Sequence, residues 1–314
     1  MKRHFKLLVI VVLSITGIPF LTTGVKAQYY FYDENYYDNP ILFEVGGSIG
    51  AMNCLTDLGG KPGLGKQFVK DLTLGTTNVS FGGFISATYQ NKIGLRFEGT
   101  VGSLEANDAS LKGVTDIALG RYWRNLSFQT SIREFSLMAE IHPLFILRDY
   151  EALDKEAPRF SPYLLGGIGL FNFNPRAKND AGVLVDLHPL RLEGQGFPEY
   201  PDVKPYKLSQ TNVPLGLGVK FELSPLINLR AELVHRMLFT DYLDDVSGSY
   251  IDPVAFYNNL DPSDWENALT MYDRQLADNK YWGVGGKRGN PDQNDSYFTF
   301  NLKVSMLFRR AIND

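Results

Sequence analysis

Between Asn212 and Phe239 the chain repeats every two residues, and no other stretch limits the possible folds as tightly. Val213, Leu215, Leu217, Val219, Phe221 and Leu223 occupy the odd positions, while Gly216, Gly218, Lys220 and Glu222 lie between them. Strict alternation of this kind is a strand with one apolar and one polar face. Ser224-Pro225-Leu226-Ile227 is too short to hold a helix, and the alternation resumes with Leu229, Ala231 and Leu233 against Arg230 and Glu232. Two strands joined this tightly pair antiparallel.

Six further segments read as strands, five of them with the same period, giving eight in all. They run over Ile41 to Met52, Val79 to Tyr89, Ile93 to Ser103, a fourth closing at His142 after Phe135, Leu137, Ala139 and Ile141, then Ser161 to Phe173, the two of the hairpin, and Ser296 to Phe308. The fifth is apolar on both faces and carries Gly166, Gly167 and Gly169. With 30 Gly, 21 Phe and 17 Tyr, the composition favours strands and tight turns. Connections alternate between short and long, the long ones being roughly 25, 25, 40 and 55 residues, with Pro143 to Phe160 an exception among the short ones. That pattern belongs to an all-β fold, an eight-stranded antiparallel transmembrane barrel with short periplasmic turns and long extracellular loops. An even strand number leaves both termini in the periplasm.

Residues 1–27 read as a targeting segment: Lys2, Arg3 and Lys6, an apolar run from Leu7 to Leu21, and Val25-Lys26-Ala27 before a cleavage point at Gln28. Residues 28–40 form an aromatic and acidic N-terminal segment, 41–308 the barrel, and 309–314 a short tail. The single cysteine, Cys54, allows no disulfide within the chain. A formal charge of -4 leaves no electrostatic footprint for nucleic acid.

Alternation alone does not say which face is outside, and a soluble lipocalin-like barrel would turn the apolar face inward around a ligand. Three features favour lipid outside. The strands are long enough to cross a bilayer at a tilt. Phe43, Tyr89, Tyr163, Phe221 and Phe308 at one rim, with Phe171, Phe173, Phe239 and Phe298 at the other, are placed as aromatic girdles. The polar faces carry both signs, Arg96, Glu98, Glu134, Glu140, Lys220, Glu222, Arg230, Glu232 and Lys303, able to neutralise one another inside. Eight strands enclose only enough room for their own side chains, so the chain is not a porin.

The segments Pro162 to Phe171, Phe239-Thr240-Asp241-Tyr242-Leu243-Asp244-Asp245-Val246, and Arg288-Gly289-Asn290 with Asp295-Ser296-Tyr297-Phe298 resemble the PorG family. Those are outer-membrane barrels of the type IX secretion system in Bacteroidetes-type bacteria. The likeness spans roughly Ile41 to Phe308, and the run Thr240 to Val246 is its best single mark. Asn53 to Leu58 is similar to a first-loop motif of the family, with Cys54 and Thr56 in place of a tyrosine and a glycine. The resemblance implies a non-enzymatic part of a protein-export machine, without cofactor or small-molecule substrate. It also implies contact with a periplasmic ring lipoprotein and its partner.

Residues that carry chemistry are few. His142, His188 and His235 have no second His or Cys at zinc spacing. His142 with Ser136 is the one candidate pair for acyl transfer in a lipid-active barrel enzyme. Asp241, Asp244, Asp245 and Asp252 have the oxygen chemistry that calcium takes, at a spacing foreign to an EF-hand, and read as an acidic surface loop. Asp261-Pro262-Ser263-Asp264 predicts a helix start, with a short helix from Pro262 to about Gln275 carrying Trp265, Leu269 and Tyr272 on one face. Pro189 to Pro205 predicts no regular structure. Arg309 and Arg310, directly after Phe308, suit lipid headgroups or an acidic partner.

Overall fold

The computed structural model describes residues 39–62, 74–150, 153, 157–276 and 282–308. The targeting segment, nearly all of the N-terminal segment, and the tail with Arg309 and Arg310 lie outside the described residues.

The eight expected strands form, and they close. They are β1 (Ile41–Leu55), β2 (Asn78–Tyr89), β3 (Ile93–Asn107), β4 (Ser127–Ile141), β5 (Phe160–Asn172), β8 (Ser209–Ser224), β9 (Ile227–Leu238) and β10 (Ser296–Phe308). A two-stranded ribbon, β6 (Arg176–Lys178) and β7 (Leu184–Asp186), branches from the loop after β5. Every strand pairs antiparallel with its neighbours, and β3 also pairs with β4, so the order β3-β2-β1-β10-β9-β8-β5-β4 returns on itself as a barrel. The first and last strands seal it over their whole length, from Phe43 opposite Phe308 to Leu55 opposite Ser296.

The turns agree with strand chemistry. Between β2 and β3, Gln90 and Asn91 both take positive φ, 48° and 57°, in a three-residue connection in which Lys92 N–H donates to the Tyr89 carbonyl at 2.9 Å. The connection from β4 to β5, at the short-turn end of the barrel, contains a single turn of helix, α1 (Pro143–Leu147). The loops after β1, β3, β5 and β9 all emerge at the opposite end.

Side chains alternate between lumen and outer wall along each strand. Outward positions are apolar and half exposed, with Leu217 at 56% and Leu302 at 55%, in a belt that includes Ile49, Phe81, Leu137 and Leu233. About 10 residues per strand at ~3.3 Å each, tilted by about 40°, give a belt roughly 25 Å tall, the height of a bilayer's hydrocarbon core. Water does not tolerate so continuous an apolar surface, and the wall faces lipid. On β4 the belt ends at Arg133, and Ser131 and Gln129 continue outward beyond it.

Three aromatic residues expected at the rims point inward instead. Tyr163, Phe171 and Phe173 are at most 1% exposed. The fifth strand is apolar on both faces, so its sequence does not reveal which parity faces lipid. Neighbouring glycine decides it: Gly218 lies opposite Tyr163, and a side chain there would meet the Tyr163 ring at 2.6 Å. Phe43, Tyr89, Phe221, Phe239 and Phe308 do lie on the exposed wall.

The lumen is filled by charge. Arg96, Lys220, Arg230, Arg236 and Lys303 stand among Glu44, Glu98, Glu134, Glu140, Glu222 and Glu232, all at most 7% exposed. Arg230 donates to Glu44 at 2.7 Å and to Glu140 at 3.0 Å; Lys303 lies 2.6 Å from Glu98 and 2.9 Å from Glu232; Arg96 contacts Glu98, Glu140 and Glu232. The Phe84 ring sits among three of these cations, 5.0 Å from Lys303 Nζ, 5.3 Å from Arg230 and 5.6 Å from Arg96. Buried charge is tolerated only when so paired.

Candidate functional site

Above this column the long loops knit into a cap, and the run Thr240 to Val246 is inside it. Thr240, Asp241, Leu243, Asp244, Asp245 and Val246 are at most 7% exposed, and Tyr242 is half-buried. The expectation of an acidic surface loop therefore fails for Asp241, Asp244 and Asp245; Asp252 alone is exposed. The reason is local bonding. Asp244 Oδ1 accepts from Val246 N at 3.0 Å and Thr240 Oγ1 from Tyr242 N at 3.1 Å, self-bonded turns that Asp and Thr form readily. Asp245 adopts φ +64°, and its Oδ1 accepts from the Tyr206 hydroxyl at 2.7 Å. The Tyr206 ring stacks on Tyr242 at 4.8 Å.

Residues far apart in sequence complete the knot. Arg124 donates to Asp108 at 2.8 Å and to the carbonyls of Asp57 at 2.7 Å and Arg288 at 2.6 Å, joining the first, second and fourth long loops. Arg288 donates to Glu193 at 2.9 Å and to the Asp245 carbonyl at 2.7 Å. Asp295, just before β10, accepts from Leu243 N at 2.9 Å. Single-sequence spacing does not point to Asp108, Arg124, Glu193 or Tyr206; Asp57, Arg288 and Asp295 stood in segments that carry the family resemblance.

Charge in the cap is unevenly compensated. The acids around them hold the Arg124 and Arg288 guanidinium groups even more firmly charged than usual, against the cost of burial. Burial pushes Asp245 up to about 7, against the pull of Arg288. Burial and neighbouring carboxylates push Asp241 up to about 9, and Asp57, Asp244 and Asp295 also rise. Cys54, near the cap end of β1, is a buried free thiol.

A cavity of about 510 Å³ lies between the first, second and fourth long loops, with Asp57, Arg121, Arg124, Trp282 and Arg288 among its lining. The rest of the cap has an apolar centre of its own. Phe197, Tyr250 and Leu192 pack there with Phe256 of α2 (Val254–Asn259) and with Ala268, Met271 and Tyr272 of α3 (Trp265–Tyr272). The helix expected from Pro262 is a 3-10 turn leading into α3; it ends at Tyr272, and the Asp261 side chain makes no cap hydrogen bond. Pro189 to Pro205 lacks regular structure beyond a 3-10 turn at His188–Leu190, yet Leu190, Leu192 and Phe197 are buried.

His142 does not meet Ser136. Six residues along one strand separate the two by roughly 20 Å. His142 Nδ1 lies 3.3 Å from Ser161 Oγ and Nε2 lies 3.5 Å from Glu140, all inside the lumen at no more than 1% exposure. His235 stands on the outer wall. Arg309 and Arg310 lie outside the described residues.

No family model matches the chain, and no curated protein does. Among solved structures it is similar to the outer membrane protein OprG from Pseudomonas aeruginosa, at 12% identity over 88% of this chain and 99% of that one, with a TM-score of 0.38. A major outer membrane protein from Thermus thermophilus aligns at 14% identity over 86% and 100%, TM-score 0.37. Ail, the attachment invasion locus protein of Yersinia pestis, aligns at 9% identity over 85% and 99%, TM-score 0.36. Likeness of this degree says nothing of what the chain does; its own strand register establishes the barrel.

Proposed function

We propose that this chain is a non-enzymatic outer-membrane component of the type IX protein secretion machinery. Its termini and short turns lie in the periplasm, where it binds the ring lipoprotein and its partner. The observation that carries this reading is the lumen: among the described residues, a column of buried, paired charges under a knotted cap fills the barrel and encloses His142 and Ser136. A barrel so filled works through its surfaces. Assignment to type IX secretion rests on the resemblance of Pro162 to Phe171, Thr240 to Val246, and Arg288 to Phe298 to the PorG family. The buried run Thr240 to Val246 then serves by holding the loops rather than by touching a partner.

Two other classes fare worse on specific residues. A soluble ligand-binding barrel would bury the belt that includes Leu217 and Leu302, which is half exposed. A lipid-active enzyme would need His142 and its serine within reach of lipid, and both are enclosed. The test is cross-linking in outer membranes, affinity purification in mild detergent and mass spectrometry. The ring lipoprotein and its partner should be recovered in stoichiometric amounts; recovery of the barrel with lipid alone contradicts the secretion role.

A further inference from the structure

Four carboxyl groups in the cap share one region that Arg124 and Lys287 act on without forming an ion pair to any of the four. Asp244 and Asp295 are 0% and 1% exposed, and each gives one oxygen to a backbone N–H of the fourth loop. Their other oxygens, Asp244 Oδ2 and Asp295 Oδ1, have no hydrogen-bond partner. Asp241 and Asp57 act electrostatically on Asp295, Asp57 acts also on Asp244, and the Thr56 and Ser247 hydroxyls stand beside Asp244 and Asp241. The two nearby guanidinium groups are committed elsewhere, Arg124 to Asp108 and Arg288 to Glu193. Among the described residues no ion pair reaches Asp57, Asp241, Asp244 or Asp295.

Each buried carboxylate left unpaired costs several kcal/mol. A purely oxygen donor set with negative charge is what hard divalent cations take. Among the described residues no three acidic, histidine or cysteine groups already converge on a bare ion. The ion that fits is one that keeps part of its water shell, bound directly through one or two carboxylates. We propose that Asp244 and Asp295, flanked by Asp241 and Asp57, hold a partly hydrated divalent cation, calcium or magnesium. That ion ties the first and fourth long loops to the start of β10. The inference does not depend on the secretion role, because it concerns the isolated protein.

The test uses the full chain in detergent micelles, stripped with chelator and then titrated with CaCl₂ or MgCl₂ against NaCl at matched ionic strength. Trypsin cleavage of the long loops should slow saturably as the ion closes the cap, by about tenfold at ten times the Kd. Half-protection is expected at about 10⁻⁴–10⁻³ M, as for other extracellular calcium modules. Asp244→Asn with Asp295→Asn should abolish the dependence, and Asp252→Asn should keep it. Calcium acting alone, or magnesium acting equally, tells which ion is held and supports the site either way. No divalent response in the wild type, or an unchanged response in the double variant, overturns it. Should the double variant fail to assemble, calorimetric titration of the wild type and of Asp241→Asn with CaCl₂ decides: no saturable heat in the wild type overturns the site.

Discussion

Glu193, in the loop between β7 and β8, accepts from Arg288 in the loop before β10, Nη1 to Oε1 at 2.9 Å, and also takes the backbone N–H groups of Ser247 and Gly248 at 3.0 and 2.8 Å. One buried carboxylate thus fastens two loops that the sequence separates by 95 positions. Glu193→Ala leaves the buried Arg288 guanidinium without its carboxylate, with only the Asp245 carbonyl, and two N–H groups without a partner, a change worth about 3–5 kcal/mol. The loss should fall on the cap: trypsin should cut the long loops sooner, while the barrel itself keeps its resistance to unfolding in detergent.

Inside the barrel the pair Arg236–Glu134, 2.8 Å apart, allows a cleaner separation of cost and benefit. Arg236→Met alone strands Glu134 and should lower unfolding stability in vesicles by about 3–5 kcal/mol. Adding Glu134→Gln should recover much of that loss, because it removes the unpaired charge. A double variant no better than the single one would mean that Glu134 is already neutralised by another group.

Leu302 lies mid-belt on β10, between Ile49 of β1 and Ala231 of β9. Leu302→Arg puts a charge near the bilayer centre and should cost about 2–4 kcal/mol in lipid vesicles. Ser131→Arg, on the outer wall beyond the belt, should cost about 0–1 kcal/mol. Equal costs at both positions would contradict the placement of the belt.

The lumen column makes a conduction prediction. In planar bilayers the purified protein should show no discrete single-channel steps, since water and ions have no route past Arg96, Glu232 and Lys303. Steady ohmic steps would require the column to be open.

Period-two alternation made seven of the eight strands legible, because one face of each meets lipid and the other is polar; the fifth was read from its apolar, glycine-rich run. Alternation did not give the facing of Tyr163, Phe171 and Phe173, where both faces are apolar, and the glycine that makes room for Tyr163, Gly218, sits on another strand. The acidic run from Asp241 was legible as a motif but not as buried. Its burial depends on Tyr206, Asp57 and Arg288, which only the folded loops bring near. Likewise His142 pairs with Ser161 across a strand boundary that local spacing does not encode.

The central claim is tested most directly by photo-cross-linking in living cells from two positions. One probe replaces Gln90, exposed in the turn between β2 and β3, and the other replaces Tyr257, exposed on the cap. The Gln90 probe should cross-link the periplasmic ring lipoprotein or its partner, and the Tyr257 probe should not. Cross-links to those proteins from Tyr257 alone, or from neither position, would contradict the account.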